Sequence, residues 1–166
     1  VGHLIGLGHR DIVHVAGPLD WLDAVGRQRG WQAELLAADL PVPEVVVGDW
    51  TADCAYEVSR VPGRLPPCTA IFAGNDQMAL GLMHGFAERG ISVPGDVSIV
   101  GFDDLPEAKH FLPPLTTVRQ DFRALGARSV ELLLAMLEGR EHDHRSTISP
   151  ELVIRRSTAP PGSRVV

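Results

Sequence analysis

Side chains that could bind a polyhydroxylated ligand follow the apolar runs of this sequence, at the points where those runs end. The candidates are Trp21, Asp23, Arg27, Trp50, Asn75 and Asp103. An indole face covers the apolar C–H face of a pyranose ring, while carboxylate, amide and guanidinium groups form paired hydrogen bonds with neighbouring hydroxyls. This combination of residue types predicts a binding site for a sugar, and it suits hexoses, disaccharides and nucleosides alike.

Each of these residues also has an ordinary structural explanation. Trp21 and Trp50 could pack in a core, which is the commoner role of tryptophan. Asp23 and Arg27 are one helical turn apart and could form a surface ion pair of little energetic consequence. Trp21 and Trp50 lie in two separate turns that follow predicted strands. Because this occurs twice independently, we expect at least one of the two tryptophans to contact a ligand.

The stretch Phe72–Gly81 is the clearest example of an apolar run followed by a polar turn and a helical pattern. Gly74, Asn75 and Asp76 interrupt the run, and apolar residues then recur at helical spacing. Either Asn75 or Asp76 could cap the helix. We expect capping to explain one of these two residues and ligand contact to explain the other.

The pattern of apolar runs and turn residues predicts an α/β fold. Predicted strands span 12–16, 45–47, 69–72 and 97–102, with extended segments at 116–118 and 148–154. Predicted helices span 22–38, 51–60, 78–90 and 122–138, after a helix that ends at Gly8. Strands alternating with helices imply a doubly wound parallel sheet, in which the turns after the strands meet at one edge.

The composition indicates one globular domain that does not itself bind DNA. The 166 residues carry a formal net charge of −6, whereas a domain that neutralises DNA phosphates is usually basic.

The cysteines and the absence of targeting signals bear on where the protein is located. Cys54 and Cys68 lack metal-ligand spacing, which predicts reduced thiols and a cytoplasmic location. No apolar run approaches the roughly 20 residues of a membrane span. Residues 1–10 lack signal-peptide features, and without an initiator Met we expect a fragment or processed product.

Signals for catalysis or cofactor binding are weak. Gly6 and Gly8 lack the third glycine of a dinucleotide fingerprint, and the sequence contains no Walker or Gly-x-Ser-x-Gly motif. The pair His142-x-His144 lies in a charged loop that is more typical of solvated side chains than of a metal site. Asp103 and Asp104 could form an acid–base pair, but adjacent carboxylates more often serve a turn and one ligand contact. We expect neither a cofactor nor a metal.

Several motifs, taken in order along nearly the whole chain, resemble the regulatory part of the LacI/GalR family of bacterial transcription repressors. They lie at 3–10, 16–18, 27–31, 48–50, 73–81, 93–104, 113–120 and 151–155. The resemblance implies a periplasmic-binding-protein-like fold (type I) of two lobes, with a small effector bound between them.

The resemblance also implies roles for individual residues. Arg27, Asn75 and Asp103 would hold the effector, Trp50 would pack on it, and Asp23 would make a polar contact. Gln120 and Phe122 correspond to residues at the junction of the lobes, near the effector, and Trp21 is less typical. Leu80 and Phe111 correspond to positions in the family's homodimer interface.

The chain departs from the family in what it lacks. The DNA-binding helix-turn-helix, the hinge and most of the N-terminal lobe are absent, so residues 1–166 would form mainly the C-terminal lobe. Operator DNA would be bound only through the missing region. In the family, the helix resembling 122–138 packs into the N-terminal lobe. We expect its apolar face to pack here against another copy or to fold back onto its own lobe.

Three functions compete at this point. The leading hypothesis is a ligand-sensing domain. A small effector, for which a sugar is the favoured class, changes the affinity of the intact repressor for operator DNA. A sugar-binding protein of a transport system shares the same fold and would require export. An enzyme of doubly wound fold is the third possibility, and the lack of a nucleophile–base set or cofactor loop argues against it.

Overall fold

A six-stranded sheet forms the centre of the protein. The computed structural model describes residues 1–140, 147–162 and 166. In chain order the elements are α1 (Gly2–Gly6), β1 (Ile12–Ala16), α2 (Leu22–Ala37), β2 (Val46–Val47), α3 (Ala52–Arg60), β3 (Ala70–Ala73), α4 (Asp76–Glu88), β4 (Ser98–Asp103), a 3-10 turn (Ala108–His110), β5 (Thr116–Arg119), α5 (Phe122–Leu137) and β6 (Glu151–Val153). The predicted α/β class is confirmed.

The strand order is β2-β1-β3-β4-β5-β6, with β1 to β5 parallel. From β1 the chain first adds β2 on one side of the sheet and then adds β3, β4 and β5 on the other side, as in doubly wound sheets. Strand β6 pairs antiparallel with β5 and is shorter than the predicted segment 148–154. Pro150 precedes β6 and has no backbone N–H to donate to a ladder, which fits the late start of the strand.

Apolar residues cover both faces of the sheet. On one face, Ile12 packs with Trp31 and Leu35 of α2. On the other face, Val13 and Val15 join the core that α3 and α4 complete. Neighbouring residues of β1 therefore enter opposite cores, which is the alternation expected of a strand buried on both sides.

Three helices begin at a side-chain cap. Thr51 caps α3, Asn75 caps α4 and Asp121 caps α5, each accepting a hydrogen bond from the backbone N–H three residues later. The first two helices start directly after strands β2 and β3. Capping thus fixes where the chain turns back over the sheet, and with it the position of the residues in each turn.

Helix α5 leaves most of its apolar side chains exposed. Among its residues Ala135 is buried, while Leu133 and Leu137 are 56% and 76% exposed. The arrangement in which this helix folds back to bury its apolar face on its own sheet is not what the structure shows. A helix face of this kind is normally covered in a complete protein.

The helices were also compared with the requirements of a bilayer span. Within the described ranges, none combines the length and the hydropathy needed to cross a membrane.

Candidate functional site

The turns that follow strands β1 to β4 meet at one edge of the sheet, and direct contacts join them. Arg27 Nη1 donates a hydrogen bond to the Gly74 carbonyl oxygen at 2.9 Å. Asn75 Nδ2 donates to the Trp50 carbonyl oxygen at 3.0 Å. Arg27 also lies beside Asp103 at the end of β4. The structure therefore brings together the predicted site residues Arg27, Trp50, Asn75, Asp103 and Gln120.

Arg27 is held on several sides. Its guanidinium carbon lies 4.0 Å from the centre of the Phe102 ring and 5.3 Å from that of Trp50, within the range of cation–π attraction. Burial lowers the pKa of Arg27, while Asp103 and Asp23 oppose that shift. An arginine pKa starts so high that the group stays charged. The site thus contains a fixed cation with several N–H donors.

Asp103 provides the matching anion. Its Oδ1 lies 3.8 Å from Arg27 Nη2 and accepts a hydrogen bond from Gln120 Nε2 at 2.8 Å. Burial raises the pKa of Asp103, although the Gln120 hydrogen bond and the charge of Arg27 oppose that shift. Both contacts fall on Oδ1, and no other described residue donates to Oδ2. This second oxygen remains able to accept a ligand hydroxyl.

The backbone after β4 adopts an unusual conformation. Asp103 and Asp104 have φ angles of +114° and +56°, in a region that non-glycine residues rarely occupy. Asp104 accepts hydrogen bonds from Arg119 and Arg155 at 2.7 and 2.6 Å. Burial alone would raise the pKa of Asp104, but those two partners lower it. The two carboxylates have separate partners, so the geometry does not support an acid–base pair.

Trp50 lies against the backbone of the neighbouring turns. A Cβ atom added to Gly17 would overlap the six-membered ring of Trp50, and one added to Gly74 would come within 3.3 Å of it. Trp50 itself has a φ angle of +74°. Its buried Nε1 has no hydrogen-bond partner among the described residues. Glycine at position 17 therefore leaves the space that the Trp50 ring occupies.

Trp21 lies at the rim of the same edge. Its side chain is 55% exposed, and its ring meets that of Trp50 edge to face, with 6.1 Å between centroids and 68° between planes. The backbone N–H of Trp21 donates to the Pro18 carbonyl oxygen at 3.1 Å, which closes the turn before α2. Trp31 is buried in the core and Trp50 packs partly against the core, whereas Trp21 is mostly exposed.

Asn75 and Asp76 both have structural partners. Asn75 Oδ1 accepts from Met78 N at 2.7 Å as the cap of α4. Asp76 is fully buried and accepts hydrogen bonds from Thr117 Oγ1 and Leu105 N. Capping therefore explains Asn75, as expected for one of the pair. Asp76 ties α4 to strand β5 and to the turn after β4. Ligand contact by Asn75, which the family resemblance implies, stays a prediction.

The remaining predicted residues lie around this cluster or away from it. Asp23 is exposed in the first turn of α2 and acts on Arg27 and Asp103 through its charge. Phe122 is exposed at the start of α5. Leu80 is partly exposed on α4, and Phe111 packs partly against the core.

Sequence reasoning missed three contributors to the site. Phe102 stacks on Arg27, Gly74 supplies a carbonyl acceptor, and Gly17 makes room for Trp50. The signal for Phe102 was present, since it is the aromatic residue directly before Asp103 at the end of a strand. The two glycines were interpreted as turn residues, and only the packing of Trp50 reveals why a side chain is excluded there.

The search for metal ligands gave no candidate. Over residues 1–140, 147–162 and 166, no group of three or more His, Cys, Asp or Glu side chains is arranged to hold a metal ion. The pair His142-x-His144 lies outside the described residues.

Comparison with known proteins places these features in context. The family model for a periplasmic binding protein-like domain matches residues 1–158. The lactose operon repressor of Escherichia coli (strain K12) is 37% identical over 167 residues, covering 99% of this chain and 46% of the repressor. The chain thus spans about half the length of the curated relatives it matches.

Solved structures agree with this relationship. A dimeric lac repressor with an 11-residue C-terminal deletion superposes with a TM-score of 0.89 at 37% identity, covering 97% of this chain and 60% of that one. The complex of the transcriptional regulator CelR with cellobiose superposes with a TM-score of 0.87 at 35% identity, covering 93% and 49%.

Proposed function

Because this chain belongs to the family of periplasmic binding protein-like domains, we propose that it is the effector-sensing part of a LacI/GalR-type transcriptional repressor. The resemblance to that family that the sequence motifs carry is confirmed by the relatives. Residues 1–166 would form mainly the C-terminal lobe. The DNA-binding domain and most of the N-terminal lobe would belong to the rest of the intact protein, and operator DNA would be bound there.

One observation carries the proposal: the Arg27–Asp103–Gln120 cluster lies beside the Trp50 ring at the carboxyl edge of the sheet. The guanidinium and the free Asp103 Oδ2 can form paired hydrogen bonds with adjacent hydroxyls, and the indole supplies an apolar surface. This is half of a binding cleft. A second lobe would close the cleft from the other side and would cover the apolar face of α5.

The ligand class follows from the same groups. Adjacent hydroxyls next to an apolar ring face are the chemistry of a sugar, and a solved relative is a complex with cellobiose. We propose a small sugar effector on these grounds. Its binding would shift the population between repressor states that differ in operator affinity.

A transport protein is the alternative that shares this fold. The curated relatives are transcriptional repressors, which favours regulation over transport. We assign no catalytic turnover to the domain, and we propose that it acts in the cytoplasm. Homodimerisation through the surface containing Leu80 and Phe111 is part of the proposal, supported by the dimeric lac repressor structure.

The test uses the intact protein that contains this chain. A sugar panel is screened by thermal shift, because ligand at about 100 times its dissociation constant stabilises by roughly 2.7 kcal/mol. A sugar that stabilises the wild type and weakens operator binding in a mobility shift supports the proposal. The same sugar should fail to stabilise Arg27→Ala but should stabilise Leu36→Ala, a control on the exposed surface of α2. Turnover of the sugar, or operator binding unaffected by any stabilising sugar, would contradict it.

A further inference from the structure

Trp21 is a large aromatic residue at the candidate site whose side chain remains mostly exposed to water. More than half of its side chain is exposed, at 55%. Large aromatic side chains are usually well buried. The residue occupies the N-cap position of α2 without making a side-chain cap. Its position is therefore not explained by the start of the helix.

The Trp21 ring nevertheless has a defined place. Its contact with Trp50 sets the two ring planes at 68° and their centroids 6.1 Å apart. The backbone of Trp21 is tied to Pro18, and the helix starts at the next residue. Two aromatic surfaces therefore meet at an angle, one partly buried beside Arg27 and one open at the rim.

The charges around these rings restrict the ligand further. Three exposed carboxylates lie within two residues of these tryptophans in the chain: Asp20, Asp23 and Asp49. Arg27, the cation of the cluster, is already paired with Asp103. A phosphorylated or carboxylated ligand would add a further anion to this acidic edge, where like charges repel. An uncharged ligand meets no such penalty.

We propose that Trp21 forms a second sugar subsite, which stacks on the second ring of a neutral disaccharide whose first ring hydrogen-bonds with Arg27 and Asp103 beside Trp50. This inference rests on the proposed sugar-binding function. The first ring uses the hydrogen bonds of Arg27 and Asp103, and the second adds contact with the exposed indole.

A purely structural role for Trp21 predicts different behaviour. If Trp21 only supported Trp50 through their edge-to-face contact, its loss would weaken monosaccharides and disaccharides alike. A subsite for the second ring predicts a loss confined to disaccharides. The two roles are therefore separated by comparing ligands of one and two rings on the same variant.

The experiment is calorimetric titration of the intact protein with glucose, galactose, cellobiose, lactose, maltose and glucose 6-phosphate. The wild type should bind a disaccharide more tightly than its component monosaccharide, and should bind the phosphate most weakly. Trp21→Ala should weaken the disaccharide roughly tenfold, equivalent to about 1.4 kcal/mol, and leave the monosaccharide unchanged. Trp21→Phe should restore much of the loss, and Leu36→Ala should behave as wild type.

Fluorescence provides a second measurement. Residues 1–166 contain 3 tryptophans, and among these the exposed indole of Trp21 should be the most accessible to acrylamide. A bound disaccharide should protect it from quenching, whereas a monosaccharide should not. In Trp21→Phe this ligand-specific protection should disappear.

Several outcomes would overturn the inference. Equal weakening of one-ring and two-ring ligands in Trp21→Ala, or no weakening of either, would assign Trp21 a structural role only. Either result would leave the proposed function intact, because the sugar would still bind the wild type. Failure of the wild type to bind any sugar of the panel would overturn the proposed function and the second subsite together.

Discussion

The Arg27 guanidinium lies 3.8 Å from the Asp103 carboxylate and thereby links helix α2 to the end of strand β4. These elements are separated by two intervening strands and helices in the chain. Both side chains are largely shielded from water, with 14% and 22% exposed. The pair thus positions the two charged groups that a ligand would meet, and the charge of Arg27 opposes the rise in the pKa of Asp103 that burial causes.

We first expect Arg27→Lys to lose sugar binding while the protein remains folded. A lysine ammonium is a point charge and cannot span the Gly74 carbonyl and Asp103 as the planar guanidinium does. Affinity should fall about tenfold or more, since a hydrogen bond to a charged group contributes about 1.5–3 kcal/mol. Titration calorimetry measures the loss. Circular dichroism melting provides the folding control, and wild-type affinity in this variant would contradict the assigned role of Arg27.

Sequence reasoning predicted the sheet and most of the site because the relevant patterns are local. Each strand is an apolar run that ends at a turn, and parallel topology then fixes that the turns meet. The placement of Arg27, Asn75 and Asp103 at one edge of the sheet follows from this reasoning. The hydrogen bond from Arg27 to the Gly74 carbonyl oxygen does not. The prediction of a capping role for Asn75 or Asp76 rested on the same local logic.

What sequence reasoning missed depends on long-range packing. Either Asn75 or Asp76 could cap α4 from the local sequence, and only the fold shows that the Asp76 carboxylate accepts a hydrogen bond from Thr117, 41 residues away. The apolar pattern of α5 did not predict its exposure either. The pattern indicates which face of the helix is apolar, but not which part of the protein covers that face. The overlap that a side chain at Gly17 would make with Trp50 likewise exists only in the folded chain.

A second prediction concerns the close contact of helices α3 and α4. A Cβ atom at Gly81 would overlap the Ala52 carbonyl oxygen and lie 2.8 Å from Tyr56 N. Gly81→Ala should therefore lower the free energy of unfolding by about 1–3 kcal/mol, as overpacking does. Gly30→Ala in α2 is the matched control, because nothing lies within 4 Å of its Cβ position. The control should stabilise by up to about 1 kcal/mol. Urea unfolding measures both, and equal effects would contradict the packing argument.

A third prediction concerns His14, which is fully buried in β1 and donates from Nδ1 to the Phe72 carbonyl oxygen. Burial lowers the pKa of His14 to about 4. Between pH 6.5 and 4 this histidine is protonated in the unfolded chain but stays neutral in the folded chain. The free energy of unfolding should therefore fall as the pH falls. The loss should reach on the order of 2 kcal/mol by pH 5.

His14→Phe should remove that part of the acid sensitivity. Phenylalanine keeps the aromatic contact with Phe72, at the cost of one hydrogen bond. Urea unfolding at pH 7 and pH 5 measures the change, with the exposed His110→Gln as the control. An unchanged slope in His14→Phe would show that another group causes the acid sensitivity.

A fourth prediction concerns Asp76, whose effect on the pH dependence of stability is opposite in sign to that of His14. Burial raises the pKa of Asp76 to about 6, although hydrogen bonds from Thr117 and Leu105 oppose the shift. The folded chain therefore holds a proton that the unfolded chain has released, and stability should fall as the pH rises from about 4 to 6. Relative to Asp76→Asn, the wild type should gain on the order of 2 kcal/mol between pH 7 and pH 4.5. Urea unfolding at both pH values checks this, and a constant difference would contradict it.

The last prediction tests whether another part of the intact protein covers α5. Leu133 and Leu137 are one helical turn apart, so both project from the same face. If a second lobe buries that face, Leu133→Gln and Leu137→Gln should each destabilise the intact protein by about 1.5–3 kcal/mol, the value of a buried leucine. Leu36→Gln is the control, since Leu36 is 65% exposed on α2 and its loss should change stability by less than about 0.5 kcal/mol. Equal effects at all three positions would mean that the α5 face stays in water. A loss that depends on protein concentration would instead identify a second copy of the chain as the partner, because only association with another molecule responds to dilution.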